Sequence, residues 1–171
     1  AVIEKDYQWN HNYIKEDITT ETGSYTNPGS FVTLRTSVLA NTIFNARNSI
    51  TWRMWGPTCT DTICIDARKM KDGDRAGLAA FNGDSGILTI KKDGSSYTLV
   101  MSEESVRLSD RTKEITAVDA KEIESVKLSK GKVGKIYLCI TGDFNPGRGD
   151  VANFYYSLDG KTFKQIGTAN Y

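Results

Sequence analysis

The chain has 171 residues, a length at which a single domain can bury a sufficient core without disulfides or metals. Lysine and arginine number 22 against 21 aspartate and glutamate residues, so the net charge of +1 supplies none of the positive field expected of a nucleic-acid-binding protein. No apolar run approaches the roughly 20 residues that span a bilayer, and the first ten residues show no leader pattern. We therefore expect one domain over residues 1–171, with neither a nucleic-acid nor a membrane partner.

The three cysteines, Cys59, Cys64 and Cys139, have no C-x-x-C spacing that would indicate zinc. If Cys59 and Cys64 share one extended strand, their Cα atoms lie about 16 Å apart, beyond the roughly 7 Å reach of a disulfide. A bridge from either one to Cys139 stays open. Buried free thiols are the simpler interpretation.

Turn residues divide the chain into short segments. Asp-Gly pairs occur at 72–73, 93–94 and 159–160, and Asn-Pro-Gly occurs at 27–29 and 145–147, both typical of hairpin connections. The segments between them are rich in β-branched and aromatic residues, which predicts an all-β sandwich or barrel of antiparallel strands. The strands are expected at Phe31–Thr36, Ser49–Trp55, Thr58–Asp66, Arg75–Asn82, Gly86–Lys92, Ser96–Ser102, Glu122–Leu128, Lys135–Gly142, Asp150–Ser157 and Thr162–Gly167.

Three short segments carry local expectations. Thr112–Glu124 is the one stretch that could form a helix, although it has no clear 3.6-residue period, so a single helical turn is the most we expect. Glu103 and Glu104 follow a predicted strand and should lie in a solvated turn. Ser157–Phe163 resembles the Asp-box of sialidase propellers but occurs once, so we interpret it as an ordinary hairpin.

The sequence offers little catalytic chemistry. His11 is the only histidine, and there is no G-x-S-x-G, H-E-x-x-H or P-loop motif. Asp72, Asp74 and Asp84 could supply oxygen ligands to a structural calcium ion, but turn-forming aspartates are the simpler interpretation. We predict no catalytic residue, no metal ligand and no cofactor.

The tryptophans lie among polar donors in two runs, Tyr7–Asn12 and Ile50–Pro57. Flat rings beside amide, imidazole and guanidinium groups suit a sugar, which presents an apolar C–H face and a rim of hydroxyls. Trp52 lies within a predicted strand, so we assign it to the core. Trp55 precedes Gly56-Pro57, which should end the strand and leave the indole exposed. For Trp9, core and sugar platform stay equally open.

Several segments resemble a known family: Gln8–Asn12, Asn45–Asn48, Arg53–Pro57, and most of all Asp66–Phe81, with a weaker match at Phe154–Gly160. On these segments the chain resembles the C-terminal domain of family 43 glycoside hydrolases, the β-xylosidases and arabinofuranosidases, which is also treated as a xylan-binding module. The resemblance implies a two-sheet antiparallel β-sandwich of the concanavalin-like jelly-roll type. It also implies that this sandwich packs on a propeller domain carrying the catalytic acids.

Two departures from the family pattern stand out. The family's Arg53–Pro57 segment usually ends in threonine-phenylalanine-glycine-proline, and the phenylalanine loop walls the catalytic pocket. Here Met54 and Trp55 take those places. The family domain also continues with strand sequence after the hairpin at Lys161–Gly167, so two expectations stay open. Either the sandwich is complete, or its closing C-terminal strand is missing and a second copy, in a strand-exchanged homo-oligomer, or another polypeptide supplies it.

The resemblance implies a non-catalytic accessory module that docks on a catalytic glycoside hydrolase domain and binds xylan or arabinoxylan oligosaccharides. A purely structural domain is one alternative, and a small glycosidase with a concanavalin-like fold is another, although the E-x-D-x-x-E pattern of that class is missing. A polysaccharide substrate suggests an extracellular location, with the cytoplasm as the alternative. The predicted sugar contacts are Trp9, Asn10, His11, Asn12, Arg53 and Trp55.

Overall fold

The computed structural model describes residues 7–9, 13–21, 29–129, 133–147 and 150–170. They belong to two compact units, Ala1–Met54 and Trp55–Tyr171. The prediction of a single domain therefore stays a prediction. Among the described residues, no helix is long and apolar enough to cross a membrane.

The first unit is built from two short antiparallel ribbons. Strand β1 (Tyr7–Trp9) pairs with β4 (Ile50–Trp52), and β2 (Ile18–Glu21) pairs with β3 (Phe31–Leu34). Single 3₁₀ turns occupy Lys15–Asp17 and Ile43–Asn45.

A buried carboxylate anchors the loop that follows β3. Asp17 is 8% exposed, and its carboxylate accepts hydrogen bonds from the backbone N–H and the hydroxyl of Ser37. The Asp17 carbonyl oxygen accepts a further bond from the Arg35 N–H. These bonds satisfy the buried charge and fix the start of the loop against the turn that precedes β2.

The described residues of the second unit form eight strands in two four-stranded antiparallel sheets. The strands are β5 (Thr58–Asp66), β6 (Arg75–Ala80), β7 (Asp84–Asp93), β8 (Ser96–Leu108), β9 (Ile115–Leu128), β10 (Lys135–Asp143), β11 (Val151–Ser157) and β12 (Lys164–Asn170). One sheet has the order β12-β11-β10-β5, and the other has the order β6-β7-β8-β9. A 3₁₀ turn at Ala67–Lys69 follows β5.

Alternate residues of both sheets form the core of the second unit. Fully burying a large apolar side chain of this kind contributes about 1.5–3 kcal/mol, so this layer is the main source of stability. The predicted two-sheet antiparallel β-sandwich is confirmed. Its largest fully buried apolar side chains are Leu88, Ile90, Leu99, Met101, Ile136, Leu138, Phe154 and Ile166.

Two local expectations were wrong. The helical turn expected within Thr112–Glu124 is absent, because residues from Ile115 to Leu128 form strand β9 and pair with β8. Glu103 and Glu104 do not lie in a turn, because β8 continues to Leu108, and Glu104 is only 7% exposed. Interstrand hydrogen bonds, from β9 to β8 and from β8 to both β7 and β9, outweigh the weak helical and turn preferences of these segments.

The interpretation of Ser157–Phe163 as an ordinary hairpin fits the structure, whereas the interpretation of the cysteines as buried free thiols is right about burial for Cys139 alone. Ser157 and Asp159 cap the turn, with the Asp159 carboxylate accepting from the N–H groups of Lys161 and Thr162, each at 2.8 Å. These hydrogen bonds hold the pKa of Asp159 well below its usual range. The cysteines are all free thiols, with Cys139 buried and Cys64 exposed.

Gly77 marks a close approach of two backbones, which generates a stability prediction. A Cβ at this position would lie 2.7 Å from the Cα of Thr89 and closer still to the Leu88 carbonyl oxygen. We expect Gly77→Ala to force β6 away from β7 and lower the free energy of unfolding by about 1–3 kcal/mol in urea denaturation. Gly83→Ala is the control, because a Cβ there would meet nothing within 4 Å. Equal stability of the two variants would contradict this account.

Asp66 generates a pH prediction. Hydrogen bonds and charge from Arg68 lower the pKa of Asp66 from 3.8 to about 2. A carboxyl group whose pKa is lower in the folded state stabilises the fold above its unfolded pKa, and this contribution is lost as the pH falls towards the folded pKa. The stability difference between wild type and Asp66→Asn should therefore shrink between about pH 4 and pH 2. Titration of the Asp66 carboxyl by NMR is the direct check, and a midpoint near 4 would contradict the assignment.

Candidate functional site

Aromatic side chains gather on one face of the β1–β4 ribbon in the first unit. Tyr7 lies opposite Trp52 in the strand register, and their ring centroids are 5.2 Å apart with the planes tilted by 43°. Trp9 lies two residues beyond Tyr7 on the same face of β1 and stacks on Tyr13, with centroids 4.8 Å apart. Tyr7, Tyr13 and Trp52 are 37%, 43% and 46% exposed. This aromatic face therefore offers flat apolar surface to solvent.

The aromatic face contains one residue from the predicted site. Trp9 is half-buried in the stack on Tyr13, while predicted contacts Asn10, His11 and Asn12 lie outside the described residues. Arg53 is exposed directly after β4.

The assignment of Trp52 to the core was wrong. Trp52 lies on the two-stranded β1–β4 ribbon and not inside a sandwich core. Its indole is 46% exposed beside Tyr7. Tyr7 and Tyr13 were missed, although the alternation of Tyr7 with Trp9 was a usable signal for a shared strand face.

Trp55 lies in the second unit, on the loop that leads into β5. Its side chain is 65% exposed, as predicted from the Gly56-Pro57 pair that follows it. The Gly56-Pro57 peptide bond is cis. The Pro57 carbonyl oxygen accepts a 2.7 Å hydrogen bond from the Phe144 N–H. The indole is thus displayed on a loop that is fixed at its base.

The Trp55 loop is held by the start of β5 and the end of β10. Thr58 pairs with Asp143 at the rim of the sheet. Asp143 Oδ1 accepts hydrogen bonds from the backbone N–H and the side-chain amide of Asn145, at 3.0 and 2.7 Å. Three consecutive residues of the 143–145 turn are therefore ordered next to the loop, which favours a rigid display of Trp55 over a mobile one.

The candidate calcium ligands are occupied by other interactions. Asp74 accepts a 2.7 Å bond from the Lys71 N–H, and Asp72 accepts from the Gly94 N–H. Asp84 forms an ion pair with Arg107 at 2.9 Å. Within the described part of the chain, no group of three or more histidine, cysteine, aspartate or glutamate residues could hold a metal ion.

A surface cavity of about 160 Å³ in the second unit is acidic. Asp84, Glu103 and Glu104 line it together with two serines and the end of β12. Hydrogen bonds from Ser105 and Arg107 hold the pKa of Asp84 below its usual range. A glycosidase general acid needs a raised pKa instead, so this carboxyl group is set up for an ion pair.

The strand order and the core of the second unit define an all-β protein of the concanavalin-like sandwich class. The family model for the β-xylosidase C-terminal concanavalin A-like domain matches residues 2–171, and the chain belongs to this family. Comparison with curated proteins found no match.

Two solved structures are similar over nearly the whole chain. One is a family 43 glycoside hydrolase whose active site was engineered to give both endo-xylanase and exo-arabinofuranosidase activity. It is 26% identical with a TM-score of 0.83, over 97% of this chain and 31% of that one. The other is a bifunctional GH43-CE protein of Bacteroides eggerthii, 29% identical with a TM-score of 0.75, over 96% of this chain and 19% of that one. The chain thus spans less than a third of either relative.

The different surroundings of Trp55 and Trp52 generate a prediction about stability. Trp55→Ala removes an indole that is mostly in solvent, so the free energy of unfolding should change by about 0.5 kcal/mol or less. Trp52→Ala removes the cross-strand ring pair with Tyr7, and we expect a loss of about 0.5–1.5 kcal/mol beyond the lost buried area. Urea denaturation of both variants measures the difference, and a larger loss for Trp55→Ala would show that its indole is packed rather than displayed.

Proposed function

We propose that the chain is a non-catalytic accessory module of a xylan- or arabinoxylan-degrading glycoside hydrolase, and that it contributes a tryptophan loop to substrate binding. The observation that carries the proposal is the display of Trp55. Its indole is 65% exposed on a loop whose base is fixed by the bond from Phe144 to Pro57. An exposed indole on a loop whose base is fixed suits stacking on the C–H face of a sugar.

The catalytic acids would belong to another part of the enzyme. In both solved relatives a domain of this kind forms less than a third of a longer chain. In the acidic cavity, Ser105 and Arg107 stabilise the charged form of Asp84 and lower the pKa of this carboxyl group, which is the opposite of what a general acid needs. This supports a role in binding and positioning, beside a catalytic glycoside hydrolase domain.

The aromatic face of the first unit is the second surface to which we assign sugar contacts. Trp9 and Trp52 give it indole surface, and exposed Arg53 follows β4 as a fixed-charge donor for hydroxyl groups. Asn10, His11 and Asn12 keep their proposed role as further polar contacts. The proposal also includes strand exchange into a homo-oligomer and an extracellular location.

Titration calorimetry with xylohexaose tests the proposal. Because association and ordering costs offset most of the stacking energy, we expect a Kd between micromolar and millimolar. Trp55→Ala should weaken binding about fivefold to tenfold. Phe163→Ala is a matched control, since it also removes an exposed aromatic ring from the second unit, and its affinity should equal that of the wild type.

Product analysis on the same samples separates the alternatives. Heat without new sugars supports a binding module. New sugars would contradict the non-catalytic assignment and favour a small glycosidase. Neither heat nor products would contradict carbohydrate binding by the chain and leave a purely structural role.

A further inference from the structure

The sheet β12-β11-β10-β5 has one face in the core and one face outside it. Ile136, Leu138 and Ile140 of β10 are at most 5% exposed, so they define the inner face. Alternation along the strand then places Cys139 and Thr141 on the outer face. The register of the neighbouring strands extends this outer face over all four strands.

Two rows of side chains cross the outer face. In one row Thr62, Cys139, Tyr155 and Gln165 lie side by side on β5, β10, β11 and β12. In the next row Thr60, Thr141, Asn153 and Thr168 lie side by side on the same four strands. Each row spans about 14 Å, from three interstrand spacings of about 4.8 Å, and the rows are about 7 Å apart. We call this surface of eight residues the neutral face.

All eight side chains of the neutral face are uncharged, although a quarter of the chain is charged. The outer face of the other sheet provides the contrast, because Arg75, Lys91, Glu122 and Lys127 lie on it. A sheet face that is merely solvated normally carries interspersed charges of both signs. The edge strands β5 and β12 expose Thr60, Thr62 and Gln165 on the neutral face. The other residues of this face are half-buried except Cys139, which is buried, so solvent reaches the face mainly along its two edges.

A bulge in β12 organises the polar groups of this face. The pairing of β11 with β12 shifts between Asn153 and Tyr155, and Gly167 adopts a φ of +79° at that point. The extra residue lets Ile166 enter the core while Gln165 and Thr168 both reach the outer face. Bulges commonly re-aim side chains in this way next to functional sites.

The re-aimed side chains form a hydrogen-bonded triad. Gln165 Nε2 donates to Thr168 Oγ1 at 3.0 Å and to Asn153 Oδ1 at 3.3 Å, and Thr168 Oγ1 donates to Asn153 Oδ1 at 2.9 Å. Within the triad, Asn153 Oδ1 accepts hydrogen bonds and Gln165 Nε2 donates them. The triad leaves Asn153 Nδ2 as a donor and Gln165 Oε1 as an acceptor, both held in place by the bonds within the triad.

Tyr155 lies on β11 two residues from Asn153, on the same outer face. Tyr155 is half-buried, with Gln165 beside it on one strand and Cys139 beside it on the other. A ring next to one fixed donor and one fixed acceptor matches a sugar unit, whose C–H face stacks while its hydroxyls both donate and accept. A nucleic acid or an acidic peptide would need cations, and none lies in either row.

We propose that the neutral face binds a linear, uncharged oligosaccharide of the xylan type, with Tyr155 as the stacking ring and Asn153 and Gln165 as the hydroxyl partners. The inference rests on the proposed function and adds to it a second surface, separate from Trp55. The Trp55 loop joins the same sheet at Thr58, at the end nearer to the row of Asn153. A bound chain can thus run from the loop across the sheet.

Titration calorimetry with xylohexaose tests the inference with two kinds of variant. One blocks the neutral face sterically, and the other removes a hydrogen-bonding amide from it. Thr62→Arg places a long side chain over the row of Tyr155 from an exposed position, and Gln165→Ala removes the amide. We expect each to weaken binding about tenfold. Ser125→Arg is the matched control, an exposed hydroxyl residue on edge strand β9 of the other sheet, and should bind as the wild type does.

The outcomes distinguish this inference from the proposed function. If Trp55→Ala weakens binding and neither Thr62→Arg nor Gln165→Ala does, the Trp55 proposal stands and the neutral face is overturned. If the neutral-face variants weaken binding and Trp55→Ala does not, the face is supported and the tryptophan loop is overturned. Absence of wild-type binding up to about 10 mM overturns both. Backbone amide shifts of Asn153, Tyr155 and Thr168 during an NMR titration with xylohexaose give the same decision without any variant, because binding elsewhere would leave them unmoved.

Discussion

Alternation between the inner and outer faces of the β12-β11-β10-β5 sheet is the constraint on which the proposed binding surface depends. Ile136, Leu138 and Phe154 are fully buried, and a strand slipped by one residue would expose them. The apolar core therefore fixes the register, and the register decides which side chains meet on the outside. Tyr155 and Gln165 become neighbours because Phe154 and Ile166 must face inward. The packing of the core therefore determines which side chains of this sheet face solvent.

Buried polar groups and exposed aromatic rings make different contributions in this structure. Its buried polar groups, such as Asp17 and Ser157, serve turns and loop anchors. The indole of Trp55 is 65% exposed, whereas the 46% exposed indole of Trp52 also pairs with the ring of Tyr7. Exposed aromatic side chains add little to the free energy of folding, whereas they contribute strongly to recognition of sugars and proteins. Such a surface is consistent with a domain that positions a polymer for cleavage elsewhere.

Much of the fold could be predicted because turn chemistry and alternation are local signals. Asp93-Gly94 closes the β7–β8 hairpin, as the sequence indicated, and the exposure of Trp55 followed from the Gly-Pro pair after it. Trp52 was misassigned because a strand with one neighbour looks the same in sequence as one in a core. The neutral face could not be predicted, since it requires the register of Thr62 with Cys139 and the bulge at Gly167. Both the register and the bulge depend on how the strands pair in the folded chain.

The same strand order has a kinetic consequence. Strands β6 to β9 follow one another as successive hairpins, so their contacts close short loops. Strand β5 instead waits for β10, with four strands of sequence between them. Folding rates fall as such long-range pairings come to dominate, so in refolding β5 should pair with β10 after the local hairpins have formed. Strands β5 and β10 thus carry part of the proposed binding surface and also form the long-range pairing, so residues on them bear on both binding and folding.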